Sequence, residues 1–269
     1  MAELEKGIIP RVVGGLGNQM FIVSAAYAAH RYSNSPLYIL QNPLENNPHN
    51  RKKQNYNDTV FKFFGKHLPY YQEDPLFQDY VRVDLPYGFA PWLPETILPG
   101  TLMVSYYQFY PALEPFEDEL RELFLKGLEP FLKNYEDCAF LHIRRGDYLK
   151  NPDYHYVQTI EYYKNAVSNL LERQPNIRKI YVVSDDMDWV NDQGFFLKPI
   201  FEVYTGDNEV ETLALMASCK GGAICGNSTF SWWGAFLGAY ARRSPVIVPK
   251  LWINTYVASL FPVGWSILQ

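Results

Sequence analysis

The stretch LHIRRGDY, residues 141–148, sets His142, Arg144, Arg145 and Asp147 at the end of an apolar run. If that run is a strand, residues two apart share a face, so His142 and Arg144 project together while Ile143 enters the opposite layer. Arg145 and Asp147 then fall on the turn. A guanidinium in that place stays charged at any relevant pH and can grip a diphosphate through two parallel hydrogen bonds. The bland alternative is an Arg-Asp surface pair, which contributes little.

Three further stretches carry polar groups suited to the same kind of ligand. CGNSTFSWWGAFLGAY, residues 225–240, reads as a strand end, a polar turn (Gly226, Asn227, Ser228, Thr229) and a helix. Ser228 or Thr229 would cap that helix and aim its amides and positive dipole end at an anion; capping alone is the simpler reading. VVSDDMD, residues 182–188, ends an apolar run in acidic residues. Asp186 and Asp188 form a D-x-D pattern able to hold a divalent cation against phosphates. Alternatively, Asp185 or Asp186 accepts hydrogen bonds from a base or ribose, the preferred reading because the cationic and amide groups already present make a metal redundant. GGLGNQMF, residues 14–21, is a glycine-rich turn before a helix. It fails the dinucleotide fingerprint, since Met20 stands where the third glycine belongs and the following strand ends in Gln41 rather than an acidic residue. Its glycines, Gly17 among them, still allow close backbone approach, and Asn18 and Gln19 offer amides there.

Other catalytic patterns are missing. His30 and His67 read as structural or exposed, no H-x-x-x-H spacing suggests zinc, and there is no G-x-S-x-G elbow. The aromatic residues Tyr106, Tyr107, Tyr154 and Tyr156 are candidates for stacking on sugars, although each alone is more often core.

The elements that position these groups alternate. Ile8–Val13 reads as a strand, residues 14–18 as a turn, Gln19–His30 as a helix and Leu37–Leu40 as a strand, which opens an α/β layer. Residues 42–99 have no sustained period. They are either irregular structure draped on the first unit or a mobile segment facing substrate. A further apolar run, Thr101–Ser105, follows. Strand-like runs then recur at 138–143, 179–183, 199–203, 222–225 and 246–248, with helical patterns between them: Ile160, Tyr163, Val167, Leu170 and Leu171 share a face closed by Pro175, and Asp207 reads as the cap of a helix ended by Lys220-Gly221-Gly222. Five strands alternating with helices predict a parallel, doubly wound sheet, and ligands on such sheets bind outside the carboxyl ends of the strands. The arginine, aspartate and GNST constellations all fall there.

Composition limits the classes. A chain of 269 residues accommodates two modest domains, and 48% hydrophobic with 20% charged residues is ordinary for a folded protein. The net charge of −5, with no basic stripe, argues against nucleic acid. Three cysteines, Cys138, Cys219 and Cys225, have no CxxC spacing and read as free core residues in a reducing compartment. No run reaches a membrane span, so a cytoplasmic enzyme is expected.

Taken together and in this order, GGLGNQMF, HIRRGDY, SDD and GNSTFSWWGA resemble glycosyltransferase family 11, the α-1,2-fucosyltransferases; the motifs run from Gly14 to Ala235. The resemblance implies a GT-B type α/β fold of two Rossmann-like units facing a cleft. Residues 1–130 would be the N-terminal unit on the acceptor side, and residues 131–269 the C-terminal unit that binds GDP-fucose. It implies inverting transfer of L-fucose from GDP-β-L-fucose to the 2-hydroxyl of a galactose in a glycan, with no cofactor and no metal. Carried onto this sequence, Arg144 holds the pyrophosphate beside Arg145, and Asn227, Ser228 and Thr229 add hydrogen bonds at the helix start. His142 lies beside the nucleotide, Asp185 or Asp186 serves guanine or ribose, and Asn18, with Gly17 and Gln19, faces the donor sugar. Asp147 is the first candidate for the base, the alternative being that it only orients the arginines. One departure is visible: Ile22-Val23 follow GGLGNQMF where the family commonly has Gln-Tyr, so any contact made by those polar side chains is in question. Two alternatives stay open, a metal-dependent glycosyltransferase using Asp186 and Asp188 and a non-catalytic carbohydrate-binding protein.

Overall fold

The computed structural model of the chain describes residues 5–40, 52–69 and 79–269; Gln41 and the parts of the aperiodic segment at 41–51 and 70–78 lie outside the described residues. The chain divides into two compact units, Met1–Leu128 and Glu129–Gln269.

In the first unit, β1 (Ile8–Pro10) leads through the glycine turn into α1 (Leu16–Ser33) and then β2 (Tyr38–Leu40). β3 (Lys66–Leu68), β4 (Val81–Val83) and β5 (Thr101–Met103) follow, and α2 (Glu117–Leu128) closes the unit. The strands pair in parallel in the orders β1-β5-β4 and β2-β3, and an Ile8–Leu37 bridge links the two groups. α1 is buried nearly all round: Met20, Phe21, Ile22, Val23, Ala25, Ala26, Ala28 and Ala29 have no exposed surface. Ile22 and Val23 therefore serve the core, which accounts for their apolar character. The described part of residues 42–99 is packed rather than loose, with Val60, Phe61 and Phe64 buried and the Phe64 ring tilted against Phe124 of α2, centroids 4.5 Å apart.

The second unit is regular. It runs β6 (Cys138–Ile143), α3 (Ile160–Arg173), β7 (Lys179–Ser184), α4 (Met187–Asp192), β8 (Phe201–Val203), α5 (Glu209–Ser218), β9 (Gly222–Ile224), α6 (Thr229–Leu237), β10 (Val246–Pro249) and β11 (Ser266–Leu268). The sheet is wholly parallel in the order β8-β7-β6-β9-β10-β11. Counted along the chain this is 3-2-1-4-5-6, the doubly wound order whose direction reverses between β6 and β9; in sheets of this order ligands bind outside the strand ends at the reversal. The sixth strand is an addition to the five read from sequence; SIL is too short to show a period.

Local signals set these elements. Thr159 caps α3 with its hydroxyl accepting from the Tyr162 amide, and Tyr163, Ala166 and Leu170 are buried without exposed surface against Ile180, Val182 and Ile224. Burying such side chains contributes about 1.5–3 kcal/mol each for the large ones. α5 is capped by Asn208, whose Oδ1 accepts from the Glu211 amide at 3.0 Å, not by Asp207 as the sequence suggested; the cap is the residue whose side chain can return to the third amide of the helix. The three cysteines are free. Among the described residues no helix is long and apolar enough to cross a membrane.

Candidate functional site

Register brings the arginine and aspartate stretches together. Ile143 of β6 pairs with Ser184 of β7, so Arg144 and Asp185 leave the sheet side by side. Arg144 Nη1 lies 2.9 Å from Asp185 Oδ2, and Nη2 lies 2.7 Å from Asp147 Oδ1. Its guanidinium carbon sits 5.5 Å from the ring centre of Tyr148, and its side chain keeps 28% exposure. The two carboxylates hold the fork from different nitrogens and leave donors for a ligand, a geometry that an ammonium cannot copy.

Arg145 is fastened differently. Its backbone amide donates to Asp185 Oδ1 at 2.9 Å, its Nε lies 3.0 Å from Asp186 Oδ2, and its guanidinium stacks 4.3 Å over Trp189. Asp186 is also the cap of α4, accepting from the Trp189 amide at 3.1 Å through Oδ1. Gly146 is required at this join, because a Cβ there would stand 2.7 Å from Asp185 Oδ2. Both oxygens of Asp186 are thus engaged, one by a guanidinium and one by a helix cap, which weakens the D-x-D reading with Asp188; the pair acts as the hub of a salt-bridged turn. Two guanidiniums face three carboxylates, a formal excess of one negative charge. What these side chains offer an anion is therefore aimed donors rather than a net basic field.

The third constellation meets the first across the reversal between β6 and β9. Ser228 is the cap of α6, its Oγ accepting from the Phe230 amide at 3.3 Å, with Thr229 as the first helical residue. The helix start adds partial positive charge. Asn227 is buried and structural: its Nδ2 donates to the carbonyls of Tyr156 (2.6 Å) and Trp252 (2.8 Å), and its own carbonyl accepts from the Tyr148 hydroxyl at 2.8 Å. His142 is 4% exposed with Phe230 edge-on at 5.9 Å. Burial pushes its pKa down to about 4, with Asp185 opposing and Arg144 reinforcing, so the ring is neutral at pH 7.

In the first unit, Gly17 and Asn18 lie in the first turn of α1, and Asn18 Oδ1 accepts from Gln108 Nε2 at 3.0 Å. Gln19 is buried, with its amide turned back to the Gly14 carbonyl at 2.8 Å, where it braces the turn. Of the aromatic candidates, Tyr107 is core: it is fully buried and its hydroxyl donates to the Val83 carbonyl. Tyr106 and Tyr154 stay exposed.

Four residues were not assigned from the sequence. Tyr148 underlies Arg144 and ties its loop to Asn227, His155 stacks on Tyr148 at 3.8 Å, Trp189 underlies Arg145, and Gln108 meets Asn18. Only Tyr148, four residues past Arg144 on the same turn, had a local signal.

The chain matches the family model described as Glycosyl transferase family 11 over residues 102–265, well over half its length. It is 28% identical to the O-antigen biosynthesis glycosyltransferase WbnK of Escherichia coli, over 89% of this chain and 92% of that protein. It is 25% identical to an Escherichia coli alpha-1,2-colitosyltransferase, over 92% of each. The crystal structure of fucosyltransferase NodZ from Bradyrhizobium aligns with a TM-score of 0.48 at 11% identity, covering 87% of this chain and 94% of that one. The match across strands β6 to β10 of the second unit, with the arginine, aspartate and GNST motifs inside it, places the chain in glycosyl transferase family 11.

Proposed function

We propose that this glycosyltransferase transfers L-fucose from GDP-β-L-fucose to the 2-hydroxyl of a galactose in a glycan, with inversion to an α-1,2-fucoside. The observation that carries it is the Arg144 fork, held by Asp147 and Asp185 at the end of β6, with the Ser228-capped start of α6 following the neighbouring strand β9. A relative named for an alpha-1,2 linkage supports the linkage. In this reading the two units are those of a GT-B type enzyme, with residues 131–269 holding GDP and residues 1–130 serving the acceptor.

The glycosidic bond to GDP breaks through an oxocarbenium-like transition state, and the developing charge on the leaving diphosphate is met by Arg144 and the α6 amides. His142, neutral, adds no charge against them. Inversion requires the base on the face of the sugar opposite the diphosphate. Asp147 lies 2.7 Å from the guanidinium assigned to that diphosphate, on the leaving-group side, so its role is to aim Arg144 and not to take the proton. Asp185 stays a candidate acceptor for ribose or guanine through any lone pair its two arginine contacts leave, and Asp186 is held more fully by Arg145 and the α4 cap.

The test is a screen of the purified protein against GDP-fucose, other GDP-sugars and a colitosyl donor, with galactosides as acceptors, with and without chelator, and NMR of the product. An α-1,2-fucosyl galactoside at undiminished rate in chelator is the expected result. A different sugar transferred, a different linkage, or loss of activity on chelation refutes the corresponding part.

A further inference from the structure

The loop after β5 holds a bulky residue in a backbone conformation that side chains rarely adopt. Tyr107 has φ +51°. It is fully buried, pinned by its hydroxyl bond to the Val83 carbonyl at 3.0 Å and by Trp92 edge-on at 5.3 Å. Such strain persists only where the surroundings impose it, and it commonly marks a place where a neighbour must be aimed. The neighbour here is Gln108, 6% exposed, whose backbone amide donates to the Gly88 carbonyl at 2.7 Å and whose Nε2 donates to Asn18 Oδ1 at 3.0 Å.

A carboxamide has one accepting and one donating end and can turn either outward. With its oxygen held by Gln108, Asn18 turns its Nδ2 toward Gly14, where φ is +82° and where an added Cβ would stand 3.2 Å from that nitrogen and 3.3 Å from Tyr106 Cε1. Tyr106 is 40% exposed, so the corner formed by the Gly14 backbone, the Asn18 amide and the Tyr106 ring edge is open to solvent on the aromatic side. A donor beside a partly exposed aromatic ring suits a pyranoside, which offers hydroxyl or ring oxygens together with an apolar C–H face able to pack on the ring face.

We propose that Gln108 is a positioning residue: it fixes the Asn18 carboxamide so that a hydrogen-bond donor, not an acceptor, faces a pyranosyl group at the Gly14 turn. This rests on the reading of the protein as a sugar transferase acting at that turn. Gln108 touches no reacting atom in this scheme and works through Asn18.

The experiment is a double-mutant cycle on turnover, using whichever glycosyl donor the wild type accepts. A wrong donor assignment then appears in the wild-type screen, whereas a wrong role for Gln108 appears only in the cycle. Gln108→Ala is expected to lower kcat/KM by about 3- to 10-fold, the size of one neutral hydrogen bond, and to have no further effect in an Asn18→Ala background. Gln108→Glu keeps the volume but can only accept, so it draws the Asn18 nitrogen inward and presents the oxygen to the sugar; it is expected to be worse than Gln108→Ala. If Gln108→Ala lowers activity equally in both backgrounds, or if Gln108→Glu retains full kcat/KM, the proposal is overturned. A change confined to the acceptor KM assigns the pyranoside to the acceptor, and a change in the donor parameters assigns it to the donor; both support the proposal.

Discussion

Replacing Arg144 with alanine is the perturbation that tests the site most directly. Arg144 is joined to Asp185 at 2.9 Å and to Asp147 at 2.7 Å, and its side chain is 28% exposed. Asp147 is half exposed, so the loss of that pair to stability is small, below about 1 kcal/mol after solvent screening. The effect on an anion is of another order. Removing the guanidinium deprives the diphosphate of its two-point contact and leaves Asp147 and Asp185 facing it, so the local formal charge goes from one to two negative units. Losing a single aimed donor at a developing anion costs roughly a hundred- to a thousandfold in turnover, about 2.7–4 kcal/mol, and the two released carboxylates act in the same direction. The assay is steady-state transfer with calorimetric titration of GDP, and thermal unfolding as a control for folding. Turnover should fall at least a hundredfold, GDP affinity should weaken, and the melting temperature should hardly move. Arg144→Lys should recover little, because one ammonium cannot reach both carboxylates and a diphosphate in a plane. More than a tenth of wild-type turnover in Arg144→Ala would refute the assignment of the diphosphate to this residue.

Three other outcomes follow from the same geometry. Asp147→Asn should reduce turnover by less than about tenfold with GDP binding kept, whereas loss of a true general base costs about a hundred- to ten-thousandfold, so a drop in that range would restore Asp147 as the base. Ser228→Ala removes the α6 cap and should lower stability by about 1 kcal/mol, a shift of about 2–4 °C in melting temperature, together with weaker GDP binding; an unchanged melting temperature would count against the cap bond. His142, whose folded pKa is depressed to about 4, contributes stability present above its unfolded value near 6.5 and lost as pH falls from there through 4, up to about 3 kcal/mol. In urea titrations at pH 7 and pH 4, His142→Asn should therefore lose less stability on acidification than wild type, and an identical loss would show that the ring is not held neutral.

Much of the second unit was legible from its residues. CAFLHI is apolar at almost every position because β6 is covered on both faces, and the boundaries of β6 follow that run. α3 is marked by its spacing and by Pro175 after it, and the polar residues at the strand ends fell where a doubly wound sheet puts its ligands. The first unit was less readable. α1 is buried all round and so shows little amphipathic period, and its strands are three residues long.

The sequence by itself determined which side chains reach the carboxyl edge of the sheet, since strand alternation and helix capping are properties of neighbours in the chain. It could not determine what those side chains hold. Whether Asp185 and Asp186 serve a nucleotide or aim Arg144 and Arg145 depends on the pairing of Ile143 with Ser184, which sets residues about 40 positions apart at hydrogen-bond distance. The same is true of Tyr148 on Asn227 and of Gln108 on Asn18, 79 and 90 positions apart. Hydrogen bonds and ion pairs act over about 3 Å, and only the tertiary fold brings such distant residues that close.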